Sequence, residues 1–585
     1  MKKTLLMILP FLLLCSNPAF SQLKENMKMY QVLNLINDNY VEKPDMPKLV
    51  EKAIVPMLAE LDPHSMYISA KDVQKANEAL NGNFDGIGVS FQIMKDSIHV
   101  VDVIRGGPSE KVGIQAGDII VKVDGKVATG DTITNNFVYK NLRGKKGTVA
   151  KVDIRRRGKK ETLHFDITRD KIPINSIDTY FMIDKKTGYI RLDRFSRTTM
   201  EEFRKSITDL KDQGMTQLVF DLRGNGGGYL DVAVALADEF LPEDKLIVYT
   251  QGISSPYRAF NSTKGGSFEK GRLVILIDEY SASASEIVSG AIQDWDRGLV
   301  IGRRSFGKGL VQRVFQLNDG AQMRLTTARY YTPSGRCIQK PYKDGLEAYY
   351  KDLANRYSHK EMINPDSISL PDSVKFYTSQ KRVVYGGGGI IPDFFIPVDT
   401  TRMSDYWINL NSKGLINRFA LEWTEKHRSD VLSKYPDYSN FAEAYPSFGI
   451  EEEFAQYAEK QGVEKTKIRG EWARSWIVDY LNKAIKDTVN PISEDNYHDY
   501  VVKLLNNPEL QKTVLEKAGK EDEDAKKSAQ KSEIYINTYV KALIARNLYG
   551  FRYYYEAYKE ADEGYKTAVD IIGDTRLFKK NRIAY

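Results

Sequence analysis

From Gly188 to Trp295, apolar runs of strand length take turns with helical patterns, and few folds accommodate that alternation. "GYIRLDRF" reads as a strand, "MEEFRKSITDLKDQG" as a helix ending on Gly214, and "QLVFDLR" as a strand. "YLDVAVALADEFL" then reads as a helix, "RLVILID" as a strand and "ASEIVSGAIQDW" as a helix. Strands alternating with helices predict an α/β layer with at least some parallel pairing. At 585 residues the chain is too long for one such core, and the flanking patterns differ. From Met27 to about Glu78 the pattern is helical, with Leu33, Ile36, Val50, Ile54 and Leu58 at spacings of three and four, until "LDPHS" at Leu61–Ser65 ends it. "GIGVSFQI", "IHVVDVI" and "GDIIVKVDGKVA" are short β-type runs between glycine-rich turns, with "GGPSEKVGI" as a loop and brief helix, and they predict a compact β-rich module. Beyond "GGGGIIPDFFIP" at Gly386–Pro397 the chain turns helical and rich in tyrosine and charge. Within it, Lys520–Glu533 has almost no apolar content and predicts an exposed linker or helix surface. The stripe "YGFRYYYEAYKEADEGYK" could present a binding surface, but aromatics at helical spacing are more often core, which is the expectation here.

The N-terminus carries Lys2 and Lys3, an apolar run from Leu5 to Leu14, and a small-residue exit at Ala19-Phe20-Ser21. That order predicts a secretory signal over residues 1–21 and an exported chain, periplasmic or in the cell envelope. The run is too short for a permanent anchor. Cys15 offers an alternative, lipidation and membrane association if it were the first mature residue, although Leu14 before it is larger than such sites usually accept. Removal of the signal leaves only Cys337, which excludes an internal disulfide and a metal cage built on cysteines. Lysine plus arginine exceed aspartate plus glutamate by 85 to 78, a small surplus over a large surface that suggests no nucleic-acid partner.

Chemistry concentrates in "DEYSASASEI", Asp278–Ile287, which sets Ser281, Ser283 and Ser285 at a junction between strand and helix. Ser283 followed by Glu286 matches a capping box, and most such boxes only cap. A serine at a sharp junction of this kind also exposes its hydroxyl beside the unpaired N–H groups that open the helix, beginning with Ala284, which make half of an oxyanion hole. "DLRGNGGGYL" can supply the other half, because glycines let a backbone N–H approach a bound group. A plain tight turn and a nucleotide loop compete for it, but the third glycine of G-x-G-x-x-G is misplaced. A serine hydroxyl needs a base. None of the six histidines lies between Lys171 and Tyr342, and His64 in "LDPHS" suits a turn better. A lysine can serve if burial lowers its pKa from about 10.4 towards 7 or 8, at a cost of roughly 4 kcal/mol. Lys308 in "RRSFGKGLVQRVF" is the candidate, with Gln312 four residues on, able to orient an amine without locking it as an ammonium. An ordinary surface lysine and a phosphate-loop lysine are the competing readings. "GRRSFGK" fits G-x-x-x-x-G-K, but Gly309 stands where that loop needs Ser or Thr.

"SASASEI", "FGKGLVQ", "DLRGNGGG", "TTARYYTPSGR" and "LDPHS" together resemble the C-terminal processing peptidases, or tail-specific proteases, over roughly Gln31–Pro397. The resemblance implies Ser283 as nucleophile, Lys308 as general base, Gln312 as the residue that positions it, and Gly228 and Ala284 as oxyanion donors. In some members the aspartate matching Asp294 also matters; here a supporting role is expected. The β-rich module resembles the family's PDZ domain, with Gly86, Ile87, Gly88 and Val89 in place of the carboxylate-binding loop. The implied fold is α/β: a crotonase-like core at 171–400, an inserted PDZ domain at 84–170, a helical N-terminal segment at 22–83, and a helical extension at 401–585. The implied function is an exported Ser-Lys endopeptidase acting on protein or peptide substrates with accessible C-termini, without metal or organic cofactor. A non-catalytic PDZ adaptor holding envelope proteins is the alternative, and a nucleotide-binding protein is a third reading. Nothing in the resemblance explains the extension, so its role, its partners and a homo-oligomeric state stay open.

Overall fold

The structure, a computed structural model, describes residues 18–583 apart from Lys95, Thr132, 369–371, 401–403 and 466–507. Lys2, Lys3, the apolar run and Cys15 of the expected signal therefore lie outside the described residues. Packing divides the chain into two units, one reaching to Val73 and including Gln312–Thr326, the other formed by Gln74–Val311 and Thr327–Tyr585.

In the first unit the helical pattern is interrupted more than its periodicity suggests. Helices span Pro18–Asn39 and Met46–Ala59, and the side chain of Asp45 caps the second by accepting the Lys48 N–H at 3.2 Å. A strand at Met66–Ile68 then pairs antiparallel with Gln322–Arg324. It follows a turn built on Asp62, whose carboxylate accepts the N–H groups of His64 at 2.8 Å and Ser65 at 2.9 Å. His64 accordingly sits in a turn. Helix resumes only at Val73–Asn81.

The second unit carries the alternation read from the sequence. Six strands lie in the order Ile177–Met182, Thr187–Leu192, Gln217–Asp221, Leu273–Ile277, Leu299–Gly302 and Phe394–Phe395, antiparallel in the first pair and parallel thereafter. Gln217–Asp221, Leu273–Ile277 and Leu299–Gly302 are buried at every position, which requires cover on both faces of the sheet. On one face Leu192, Phe220, Ile275 and Val300 pack with Phe203, Leu236 and Ile287 from the helices Thr199–Asp212, Leu230–Asp238 and Ala284–Asp294. On the other, Val219, Leu276 and Ile301 meet Tyr565, Ala568 and Ile572 of the helix Glu563–Gly573. The extension thus supplies half the cover of the central sheet.

A separate antiparallel sheet has the order Val89–Met94, Ser97–Val103, Ile119–Val123, Val149–Arg155, Leu163–Thr168, beside the helix Asn135–Leu142. Val89–Met94 is its outer strand. Met94 and Val101 of this module pack on Leu421, and His99 Nδ1 lies 3.1 Å from Glu425 Oε1. Leu421 and Glu425 belong to the helix Leu415–Lys434 of the extension. There Phe419, Trp423, Phe441, Phe454 and Leu543 form a core of their own, with Tyr549, Tyr553, Tyr554 and Tyr558 packed around it. The tyrosine stripe is thus half-buried against this core rather than inside it, with Phe551 exposed, and the charged segment Lys520–Glu533 lies within a single helix, Pro508–Tyr549.

Ile572 is 1% exposed between helix and sheet. Ile572→Ala should therefore cost on the order of 2–5 kcal/mol, read as a lower urea midpoint at unchanged slope; an unchanged midpoint would mean that the helix does not cover the sheet in solution.

Candidate active site

Ser283 occupies the junction between the strand Leu273–Ile277 and the helix Ala284–Asp294 with φ of 56°, a conformation that L side chains rarely adopt and that costs roughly 1–3 kcal/mol. Surrounding bonds hold it there. The Ser283 N–H donates to Glu286 Oε2 at 2.7 Å, and the Tyr330 hydroxyl donates to the Ser283 carbonyl at 3.1 Å. The neighbouring serines are committed elsewhere. Ser281 Oγ donates to the Leu222 carbonyl at 2.8 Å, and Ser285 Oγ to the Asn225 carbonyl at 2.9 Å.

The glycine loop is pressed against this turn. Asn225 accepts the Ala282 N–H through its carbonyl at 3.0 Å and the Gly227 N–H through its side-chain oxygen at 2.8 Å, while its amide donates to the Leu192 carbonyl at 2.9 Å. At Gly227 a Cβ would lie 2.8 Å from both the Ala282 oxygen and the Ser283 Cβ; at Gly228 it would lie 2.0 Å from the Phe195 oxygen. No other residue fits either place. Phe195 donates to the Gly227 carbonyl and accepts from the Tyr229 N–H, so this parallel bridge leaves the Gly228 N–H facing away from Phe195. Among the described residues neither the Gly228 nor the Ala284 N–H donates to a backbone carbonyl.

Lys308 lies in the loop between Leu299–Gly302 and Leu310–Gln316 and is half-buried. Glu286, fully buried, joins that loop to the serine turn. Its Oε2 accepts the Lys308 N–H at 2.9 Å as well as the Ser283 N–H, and its Oε1 accepts Ser305 Oγ at 2.5 Å and the Gly307 N–H at 2.7 Å. The Phe306 N–H adds a bond to the Ser281 carbonyl at 2.9 Å. Sequence reasoning saw Glu286 only as a capping residue: the S-x-x-E spacing gives its bond to Ser283 but carries no signal for its bonds to the lysine loop. Asn225 and Ser305 left no sequence signal at all. Burial pushes the Glu286 carboxyl up to about 7 against the four donors, which favour its charged form.

Gln312 belongs to the first unit, where its amide donates to Thr326 Oγ1 at 3.1 Å and Thr326 Oγ1 donates to Asp62 at 3.0 Å. Asp294 forms a fully buried ion pair with Arg336 at 2.7 Å and accepts the Ser334 N–H at 2.9 Å, which fixes the "PSGR" turn. In the antiparallel module Gly86 ends the strand Asn83–Gly86, Gly88 has φ of 76°, and Val89 opens the outer strand. Ile87 accepts both the N–H and the hydroxyl of Ser109 through its carbonyl, while among the described residues the Ile87 and Gly88 N–H groups donate to no backbone carbonyl. A cavity of about 50 Å³ opens beside them, lined by Ile87, Val89, Phe91, Val138, Leu142 and, among others, Arg143.

Comparison with known proteins gives this geometry a class. Residues 186–348 match peptidase family S41 and residues 86–167 match the PDZ domain. Residues 15–72 match the N-terminal domain of the activating protease CtpB, and 406–486 match a family of unknown function. The chain is a serine-type peptidase with a PDZ domain. It is 36% identical over 320 residues to a carboxy-terminal-processing protease of Bartonella bacilliformis, covering 54% of this chain and 73% of that one. It is 35% identical over 327 residues to the carboxy-terminal processing protease CtpB of Bacillus subtilis, covering 55% and 66%. A solved photosystem II D1 C-terminal processing protease is similar at 29% identity, covering 54% of this chain and 90% of that one, with a TM-score of 0.32. The chain belongs to the carboxy-terminal processing protease family.

A carboxyl whose folded pKa lies near 7 and whose ordinary value is 4.5 stabilises the fold most below pH 4.5, and that contribution is lost as pH rises through 7. Glu286→Gln, which cannot ionise, should therefore flatten the fall in wild-type stability across this window, a difference on the order of 3 kcal/mol. Denaturant titrations at pH 5 and pH 8 measure it, and parallel pH curves for the two proteins would contradict the burial of an ionisable Glu286.

Proposed function

We propose that the chain is an exported endopeptidase that recognises protein C-termini through its PDZ domain and cleaves peptide bonds near them with a Ser283-Lys308 dyad on a crotonase-like core. The observation that carries this reading is the Glu286 carboxylate, which binds the backbone N–H groups of both Ser283 and Lys308 beside the Ala284 N–H. Ser283 Oγ attacks the scissile carbonyl carbon while its proton passes to the neutral Nζ of Lys308. The carbonyl oxygen, now an oxyanion, takes hydrogen bonds from the Gly228 and Ala284 N–H groups. Collapse breaks the C–N bond, and the ammonium returns its proton to the departing amine. Water then adds to the acyl-enzyme by the same proton route, and the proton ends on Ser283 Oγ as the new carboxylate leaves. Gln312 is assigned the task of orienting the amine on the family resemblance and its spacing of four from Lys308.

The C-terminal tail of the substrate adds as a strand beside Val89–Met94, with its carboxylate at the loop Gly86–Val89 and its last side chain in the apolar cavity above Ile87 and Leu142. Support comes from the outer position of that strand and the unspent N–H groups of Ile87 and Gly88. The division of labour we adopt is a signal at 1–21, a helical segment at 22–83, the PDZ domain at 84–170, the peptidase core at 171–400 and the extension at 401–585. Export rests on the N-terminal sequence; among the described residues no helix is long and apolar enough to cross a membrane.

An unstructured protein ending in apolar residues should be cleaved by wild type in a tail-dependent way, and Ser283→Ala or Lys308→Ala should lower turnover on the order of 10³-fold or more. Lys308→Arg should be equally inactive, because a guanidinium keeps its proton at workable pH. Turnover should climb with pH towards neutrality as the amine loses its proton; full activity at pH 4, or a wild-type rate from Lys308→Arg, would overturn the base assignment.

A further inference from the structure

The extension reaches the glycine loop through one carboxylate. Asp562 caps the helix Glu563–Gly573, its Oδ1 accepting the Tyr565 N–H at 3.0 Å. The same carboxylate takes a two-bond fork from Arg223, Nη1 to Oδ1 at 2.8 Å and Nη2 to Oδ2 at 2.7 Å. The fit is close: a Cβ on Gly564 would lie 2.4 Å from Arg223 Nη1. On its other side Arg223 bonds Asp221, with Nη2 to Oδ2 at 2.6 Å, and Asp221 also accepts the Arg223 N–H at 2.9 Å and Arg191 Nη1 at 3.0 Å. Arg191 Nη2 donates to the Arg223 carbonyl at 2.9 Å. Asp221 is fully buried, and Arg223 and Asp562 are largely so. Two arginines therefore meet around Asp221, and Asp562 supplies the charge that balances Arg223. Burial opposes the charged form of Asp562, yet Arg223 outweighs it and holds the carboxyl below its ordinary value.

Arg223 is the residue from which Gly224–Gly228 departs. The loop has four glycines in five residues and little stiffness of its own, so its course is set by anchors: Asp278 on the Gly224 N–H at 2.9 Å, the Asn225 bonds, and the bridge at Phe195. We propose that Asp562 is a positioning residue for peptide hydrolysis: by fixing the Arg223 guanidinium it holds the root of the glycine loop so that the Gly228 N–H meets the oxyanion formed at Ser283. The inference rests on the oxyanion role given to Gly228 above, and it makes the helical extension part of the catalytic machinery rather than an appendage.

Asp562→Asn keeps the capping oxygen and the shape but removes the charge and one arm of the fork. Turnover of a tail-bearing protein should fall about tenfold or more, with KM and the Kd of a C-terminal peptide within about twofold of wild type. The rate at which a fluorophosphonate labels Ser283 should fall in parallel, and Asp562→Glu should recover part of both rates. Wild-type turnover from Asp562→Asn, or a change confined to KM, overturns the proposal. Loss of peptide binding and of the thermal transition in both variants overturns it too, since the contact would then serve stability alone. Full turnover by Ser283→Ala overturns the active-site assignment and this inference with it; an inactive Ser283→Ala beside a fully active Asp562→Asn overturns this inference alone.

Discussion

The arrangement depends on one buried carboxyl group that joins two loops. Glu286 is fully buried and faces four neutral donors, from Ser283, Ser305, Gly307 and Lys308. Leaving any one of those donors unpaired in the interior would cost about 1–3 kcal/mol, so Glu286 ties the serine turn to the lysine loop. That closes the distance in sequence between two segments that share no strand pairing. It also helps hold Ser283 at positive φ, because the bond to its N–H fixes the backbone on one side and the Tyr330 hydroxyl fixes its carbonyl on the other.

The central sheet sets a second constraint. Its inner strands are apolar on both faces, and helices of the peptidase segment cover only one. The remaining face, with Val219, Val274, Leu276 and Ile301, is covered by helices near the C-terminus. Once a helix must lie there for burial, its N-terminal cap falls at the ends of the parallel strands, where Arg191, Arg223 and Asp221 gather. A requirement for covering apolar surface thereby brings Asp562 to the root of the glycine loop.

The sequence made the α/β rhythm legible because each inner strand is a short, uniformly apolar run and each helix keeps its period. It left the hairpin Leu246–Gly252 and Ser255–Asn261 unread, since Tyr257 and Arg258 are exposed and the second strand shows no apolar stripe. The serine turn and the glycine loop stood out through composition, and the committed hydrogen bonds of Ser281 and Ser285 agree with setting those two aside. Glu286, Asn225 and Asp562 were illegible for one shared reason: their roles are bonds to segments 22, 57 and 339 positions away, and no local pattern encodes a partner at that range. The break at "LDPHS" was legible, and the structure adds what fixes it: the Asp62 carboxylate accepts the N–H groups of His64 and Ser65.

The same long-range logic governs the PDZ domain. Its strand Ser97–Val103 packs one face on the extension through Val101 and Leu421, with His99 against Glu425 and the Arg157 guanidinium on the Glu425 carbonyl at 3.0 Å. The apolar cavity beside Ile87 and Val138 opens on the side of the helix Asn135–Leu142, and among the described residues the outer strand Val89–Met94 pairs along one edge only. The outer strand meets the extension as well, through Met94 on Leu421. The helical extension therefore touches both ends of the proposed reaction path, the module that would take the tail and the loop that would receive the oxyanion, and two contacts of that kind on one segment constrain the PDZ domain and the catalytic loop to a common frame.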